Sequence, residues 1–198
     1  FAPSHYGRWA NISNRWGWIP GPRNYRPVYA PALVVFIGSS GWSLSFSLGG
    51  DFSVGWFPLG PRDVYYPPYQ ASRDYFSQVN VSNTVINNVT INNVYNNYSS
   101  GNINVSQTNY ANRSVADAIT AVPVNAFVNS RPVRASAVRL DRNAFKNGEL
   151  TRVAPIAPKP RSVLGTGTTA RARPTREALD RPVFVRTPPP AAERPFVE

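Results

Sequence analysis

Residues 80–112 read NVSNTVINNVTINNVYNNYSSGNINVSQTNYAN, and twelve of these thirty-three residues are asparagine. No charged side chain interrupts them. Asparagine at this density makes a poor hydrophobic core, because each buried amide must find hydrogen-bond partners. It also supplies no acid, base or nucleophile. Apolar and polar residues alternate. Val79, Val81, Val85, Val89, Ile91 and Tyr95 take odd positions, and Asn80, Ser82, Thr84, Asn88, Thr90 and Asn92 take even ones. That period of two predicts β-strands. Ser99-Ser100-Gly101 reads as a turn, and Ile103 and Val105 resume the pattern. The expectation is an Asn-rich β-hairpin over residues 79–112, one edge apolar and one polar. The pentads at 86–90 and 91–95 repeat, but two copies do not make a solenoid. Long, flat, uncharged strands pair readily with other chains unless something shields them.

Sugar is one such shield. Asn-x-Ser/Thr triplets begin at Asn11, Asn80, Asn88, Asn97, Asn104 and Asn112. These six are candidate glycosylation sites, and in the strand reading Asn80, Asn88 and Asn104 share the polar face. Covalent glycans are the only added groups the sequence suggests, and no cofactor is expected.

Residues 1–78 form a Trp/Tyr-rich segment with frequent turn signals. YGRW (residues 6–9) and RWGWI (residues 15–19) flank a polar tetrad at 11–14 suited to a hairpin turn. Pro20-Gly21-Pro22 ends the second strand. ALVVFI (residues 32–37) is a strand-sized apolar run, WSLSFSL (residues 42–48) alternates, and residues 52–57 follow a Gly-Gly-Asp turn. Short strands at this spacing predict an all-β class, a small sandwich or barrel. Prolines 58, 61, 67 and 68 then hold an extended path.

From residue 113 to 198 the composition turns to Arg, Pro, Ala, Val and Thr. A short helix is expected at 114–121, capped by Ser114. Beyond it lies an extended Arg/Pro-rich tail that should not fold alone. Its brief apolar alternations supply candidate assembly strands at Val183, Phe184 and Val185 and at Phe196 and Val197. Prolines at their edges confine them to sheet margins, where they suit addition to a neighbouring subunit. Net charge is +11, with residues 111–198 supplying fifteen of the twenty-one cations against seven acids. The basic residues are single and spaced, so nucleic acid is a disfavoured partner. Anionic polysaccharide or cell envelope remains open.

Catalytic chemistry finds little support. There is no cysteine and one histidine, His5, which cannot build a His/Cys metal site. No serine sits in a nucleophile-elbow context. Gly165-Thr-Gly-Thr-Thr169 lacks the Lys of a phosphate-binding loop. No apolar run approaches the roughly 20 residues of a membrane span. With no methionine at all, the chain is expected to be a processed product or fragment whose signal peptide has been removed.

HYGRWANISNRWGWIPGP (residues 5–22), YRPVYAPALVVFIG (25–38) and GWFPLGPRDVYYPPY (55–69) resemble a family of secreted bacterial Trp/Tyr-rich domains of unknown function. Such domains are often found with FecR-like regions. The motifs at 118–133 and 186–191 fit the same pattern. The resemblance implies export and offers no established activity and no catalytic residues. Protomers of some environmental extracellular fibrils are similar to proteins of this type.

Together these readings predict a non-enzymatic, extracellular structural protein exported from a bacterium. Its copies would join head-to-tail into a helical fibril by strand exchange or tail insertion. The alternative is a cell-envelope module binding carbohydrate or peptidoglycan through Trp9, Trp16, Trp18, Trp42 and Trp56.

Overall fold

The computed structural model describes residues 5–38, 53–84, 88–115, 117–138 and 149–157. The chain divides into two units, Phe1–Thr166 and Gly167–Glu198, and the described residues all lie in the first.

Strands β1 (Arg8–Ile12) and β2 (Arg15–Ile19) form the predicted hairpin, with Trp9 opposite Trp18. Ser13 and Asn14 turn it, both at positive φ (50° and 62°). Two left-handed residues match the right-handed twist of the strands they join.

A second sheet runs β5-β4-β3-β6, antiparallel throughout. It comprises β3 (Val34–Ile37), β4 (Ser53–Pro58), β5 (Thr120–Pro123) and β6 (Leu150–Thr151). Alternation along the strands sorts the faces. Val35, Ile37, Phe57 and Leu150 are buried together on one side. Phe36 and Trp56 face the other, where Phe127 meets their rings at 6.4 and 5.9 Å. Phe127 lies on α3 (Val124–Val128), which follows β5 directly. One turn of helix, α4 (Val133–Ser136), comes next.

The fold is therefore mixed rather than all-β, with four helices and six strands among the described residues. The largest departure falls on the Asn-rich stretch. In place of a hairpin over 79–112 stand α1 (Arg73–Asn83), α2 (Asn88–Ser99) and a 3-10 turn at Val105–Gln107. The stretch carries two periods at once. Phe76, Val79, Asn80 and Asn83 fall on one helical face, and all four are buried. Ile91, Val94, Tyr95 and Tyr98 repeat that spacing on α2. Phe76 stacks on Tyr98 (4.8 Å) and meets Tyr95 edge-on (5.4 Å), which joins the two helices. Aromatic pairs of this geometry each add about 1 kcal/mol beyond area burial. Ser72 caps α1, its hydroxyl accepting from the Tyr75 N–H, with Asp74 in the first turn. These are ordinary helix-start signals.

A second departure is the expected helix at 114–121. Residues 111–115 form turns, and Thr120–Pro123 is β5. Once β4 offers a free edge, Thr120, Ala121 and Val122 gain more from sheet pairing than from a marginal eight-residue helix. The strand expected at 42–48 lies outside the described residues.

The α1 asparagines explain how so polar a helix can be buried. Asn80 Oδ1 accepts from the Tyr65 N–H (2.7 Å), while Asn80 Nδ2 donates to the Tyr65 carbonyl (3.0 Å) and to the Phe76 carbonyl (3.0 Å). One side-chain amide thus serves both backbone polar groups of Tyr65, as a neighbouring strand would. Asn83 Oδ1 accepts from the Gly7 N–H (2.9 Å), and its Nδ2 donates to the Val28 carbonyl (2.9 Å). Ser82 Oγ takes the Val28 N–H (3.2 Å). Gly21 passes so close to the Ser82 carbonyl that a β-carbon would collide with it.

Replacing Asn80 with Leu strands both polar groups of Tyr65, at about 1–3 kcal/mol each. Chemical denaturation should show Asn80→Leu destabilised by about 3 kcal/mol or more. Asn97→Ala, on an exposed site of α2, should fall within about 0.5 kcal/mol of the parent.

Candidate binding surface

Arg8 begins β1 and is almost fully buried, at 1% exposure. Its guanidinium donates to the carbonyls of Gly7 (3.0 Å) and Asp63 (3.2 and 3.3 Å). Asp63 in turn accepts from the N–H groups of Gly60 (2.7 Å) and Ala111 (3.2 Å). Burial lowers the Arg8 pKa to about 10, partly opposed by the charge of Asp63. Burial likewise raises the Asp63 pKa from its ordinary value, opposed by its two N–H donors and by Arg8. A buried Arg–Asp pair resembles catalytic furniture. Here the hydrogen bonds go to backbone, apart from a long one from Arg8 Nη2 to Asn80 Oδ1 (3.5 Å), and the pair holds β1 against the 60–63 turn.

The glycosylation candidates divide by environment. Asn80 is 0% exposed and Asn112 is 3% exposed. Asn112 Nδ2 donates to the carbonyls of Trp9 (2.8 Å) and Pro58 (3.0 Å), tying β1 to the end of β4. In both residues the nitrogen that would carry sugar is already bonded inside the protein, so neither can hold a glycan in this fold. Asn104 is exposed but caps the 3-10 turn, its Oδ1 accepting from the Ser106 N–H. Asn11 is half-buried on β1, Asn97 is exposed on α2, and Asn88 begins α2. The polar face expected for Asn80, Asn88 and Asn104 does not exist, because the residues lie on three different elements. Val183, Phe184, Val185, Phe196 and Val197 lie outside the described residues.

The tryptophans do not share one groove. Trp56 packs against Phe36 and Phe127 on the outer sheet face, Trp9 and Trp16 are half-buried, and Trp42 lies outside the described residues. The exposed rings are chiefly tyrosines. Trp18, Tyr25, Tyr29 and Tyr69 are 39–48% exposed, and most of them are linked. Trp18 Nε1 donates to the Tyr6 carbonyl (2.8 Å), and Tyr6 meets the Tyr29 ring edge-on (6.3 Å). Tyr29 stacks on His5 (4.8 Å). The Tyr75 hydroxyl donates to the Tyr29 carbonyl (2.9 Å), leaving the Tyr69 hydroxyl to donate to Tyr75 (2.8 Å).

The result is an aromatic strip running from the hairpin to the start of α1. Beside it opens a groove of about 610 Å³, with Tyr25, Arg26, Pro27 and Val28 on one wall and α1 on the other. Its solvent-facing surface is mostly apolar. Sequence reading fastened on tryptophan and missed the strip. The available signal was Tyr25, Tyr29 and Tyr69 beside prolines 27, 31, 67 and 68, which keep the backbone extended and the rings outside.

Chemically, this surface can stack flat or ring-shaped groups and offer a few hydroxyl and guanidinium donors. Among the described residues, no group of three or more His, Cys, Asp or Glu is placed to hold a metal, and no helix is long and apolar enough to cross a membrane.

The fold and the strip thus define a mixed α/β domain with an aromatic surface. Residues 1–63 match a family of unknown function, DUF6600, over the hairpin, β3 and β4. No curated protein and no solved structure matches the chain.

Two measurements test the site's chemistry. Glycan mapping by mass spectrometry on material from the native host should find Asn80 and Asn112 bare, with any sugar at the exposed asparagines. Alkaline stability is the second. Burial raises the Tyr65 and Tyr110 pKa values far above the ordinary 10. Their contribution is complete below about pH 10 and fades above it, because only the unfolded phenols ionise there. Arg8 acts oppositely between about pH 10 and 12.5, and two tyrosines outweigh it. Denaturation midpoints should therefore fall as pH rises above about 10, by roughly 1.4 kcal/mol per unit for each buried tyrosine.

Proposed function

We propose that this is a non-enzymatic extracellular structural protein, exported from a bacterium, whose copies join head-to-tail through the C-terminal tail into a helical fibril. The observation that carries the reading is the division of the chain at residue 166. A body whose buried polar side chains bond largely to its own backbone precedes a proline- and arginine-rich unit of thirty-two residues. A contact made by the tail of one copy on the body of the next is heterologous. Repeated without closure, it generates a filament. The described part of the body leaves its polar side chains few duties besides structure. Arg8, Asp63, Asn80, Asn83 and Asn112 are all committed to backbone partners.

A second reading draws on the tyrosine strip. A cell-envelope module that binds carbohydrate would lay pyranose faces on Tyr29 and Tyr69 and would place its acidic groups near Arg26. It needs no tail.

Deleting residues 181–198 separates the two readings. Soluble monomers by sedimentation and negative-stain microscopy are expected from the truncated chain, and filaments indistinguishable from those of the full chain would overturn the connector role. Polysaccharide pull-down by the same truncated chain would favour the second reading.

A further inference from the structure

We infer that the tyrosine strip and the groove beside it form a docking site for the proline-rich segment at residues 186–190 of a second copy of this chain. The inference rests on the tail-connector reading and names the receptor which that reading lacks.

The segment reads Arg186-Thr187-Pro188-Pro189-Pro190. Runs of proline in general favour the polyproline II conformation without a partner, so docking such a sequence costs little ordering entropy. A polyproline II helix makes no internal hydrogen bonds. It presents apolar pyrrolidine faces together with bare carbonyls. Aromatic-lined grooves recognise this combination, with rings against the prolines and polar donors toward the carbonyls.

The surface has both parts. Tyr25, Tyr29 and Tyr69 are each more than 40% exposed, and Pro27, Val28 and Val81 give the groove apolar walls. Gln78 and Arg26 bring donors to its rim. Asp74, exposed on the first turn of α1 beside Tyr75, is a complement for Arg186. A mostly apolar wall suits proline better than a sugar, whose hydroxyls need a denser set of polar partners. Twenty-eight residues lie between position 157 and Arg186. Extended, they span up to roughly 95 Å, enough to reach a neighbouring molecule.

The test uses the full chain. A receptor form carrying Pro188→Ala, Pro189→Ala and Pro190→Ala leaves its own tail unable to compete. Fluorescence anisotropy then reads its binding of a labelled synthetic peptide spanning residues 181–191. Binding should weaken at least tenfold with Tyr29→Ser or Tyr69→Ser in the receptor and recover with Tyr29→Phe or Tyr69→Phe. Ile12→Ser, exposed elsewhere on the hairpin, should leave it unchanged. Circular dichroism confirms that each variant is folded.

Equal binding of a peptide whose three prolines are alanine would overturn the site, as would indifference to both serine variants. Displacement of the peptide by soluble polysaccharide would reassign the strip to carbohydrate. A wild-type chain that refuses peptide at every dilution would mean docking within one molecule, which overturns the second-copy assignment. Assembly is scored separately on the chain lacking residues 181–198. Tyrosine-dependent peptide binding with undiminished filaments would keep the docking site and sink the connector reading. Lost filaments with tyrosine-independent binding would do the reverse.

Discussion

The amide of Asn80 bonds to both the backbone N–H and the carbonyl of Tyr65, and much of the fold depends on that pairing. Residues 63–67 run extended through the interior without a strand beside them. The Tyr65 N–H and carbonyl would be buried and unsatisfied if α1 did not supply a side chain shaped like a peptide. Asn83 and Ser82 repeat the device for Gly7 and Val28, one turn further along the same helix. A buried amide left unpaired is costly, and one paired at every position is specific, because only one placement of the helix satisfies all its partners. The helix, the hairpin entrance and two proline-flanked extended segments are thereby held in one register.

That register decides what reaches the surface. With Val28 pinned by Ser82 and Asn83, Tyr25 before it and Tyr29 after it stay outside the core. The Tyr75 hydroxyl then grips the Tyr29 carbonyl, and Tyr69 leans on Tyr75. The aromatic strip is a consequence of the internal amide network. The groove beside it is the gap left where the pinned segment meets α1. The polar interior serves structure, and the apolar, aromatic exterior is what remains to meet a partner.

Parts of this were legible in the chain itself. The β1–β2 hairpin, the apolar run at β3 and the strand at β4 follow from local alternation and turn residues. Their strand pattern is strong, and no helical period competes with it. The Asn-rich stretch is ambiguous by itself, because its alternation fits a strand while the spacing of Phe76, Val79, Asn80 and Asn83 fits a helix. Counting asparagine as a solvent-facing residue tipped the balance toward the strand. The capping serine at position 72 and the tyrosines at 95 and 98 were the countersignals. The same assumption sent sugar to Asn80 and Asn112, whose amides are internal hydrogen-bond donors.

By itself the sequence determined a Trp/Tyr-rich β segment, an uncharged asparagine stretch and a basic, proline-rich tail, because composition and short-range periodicity are local properties. Only the tertiary structure decided that Asn80, Asn83 and Asn112 are interior while Asn97 and Asn104 stay exterior. An amide's place depends on whether partners await it inside, and those partners, on Gly7, Val28, Tyr65, Trp9 and Pro58, lie between 15 and 103 residues away along the chain.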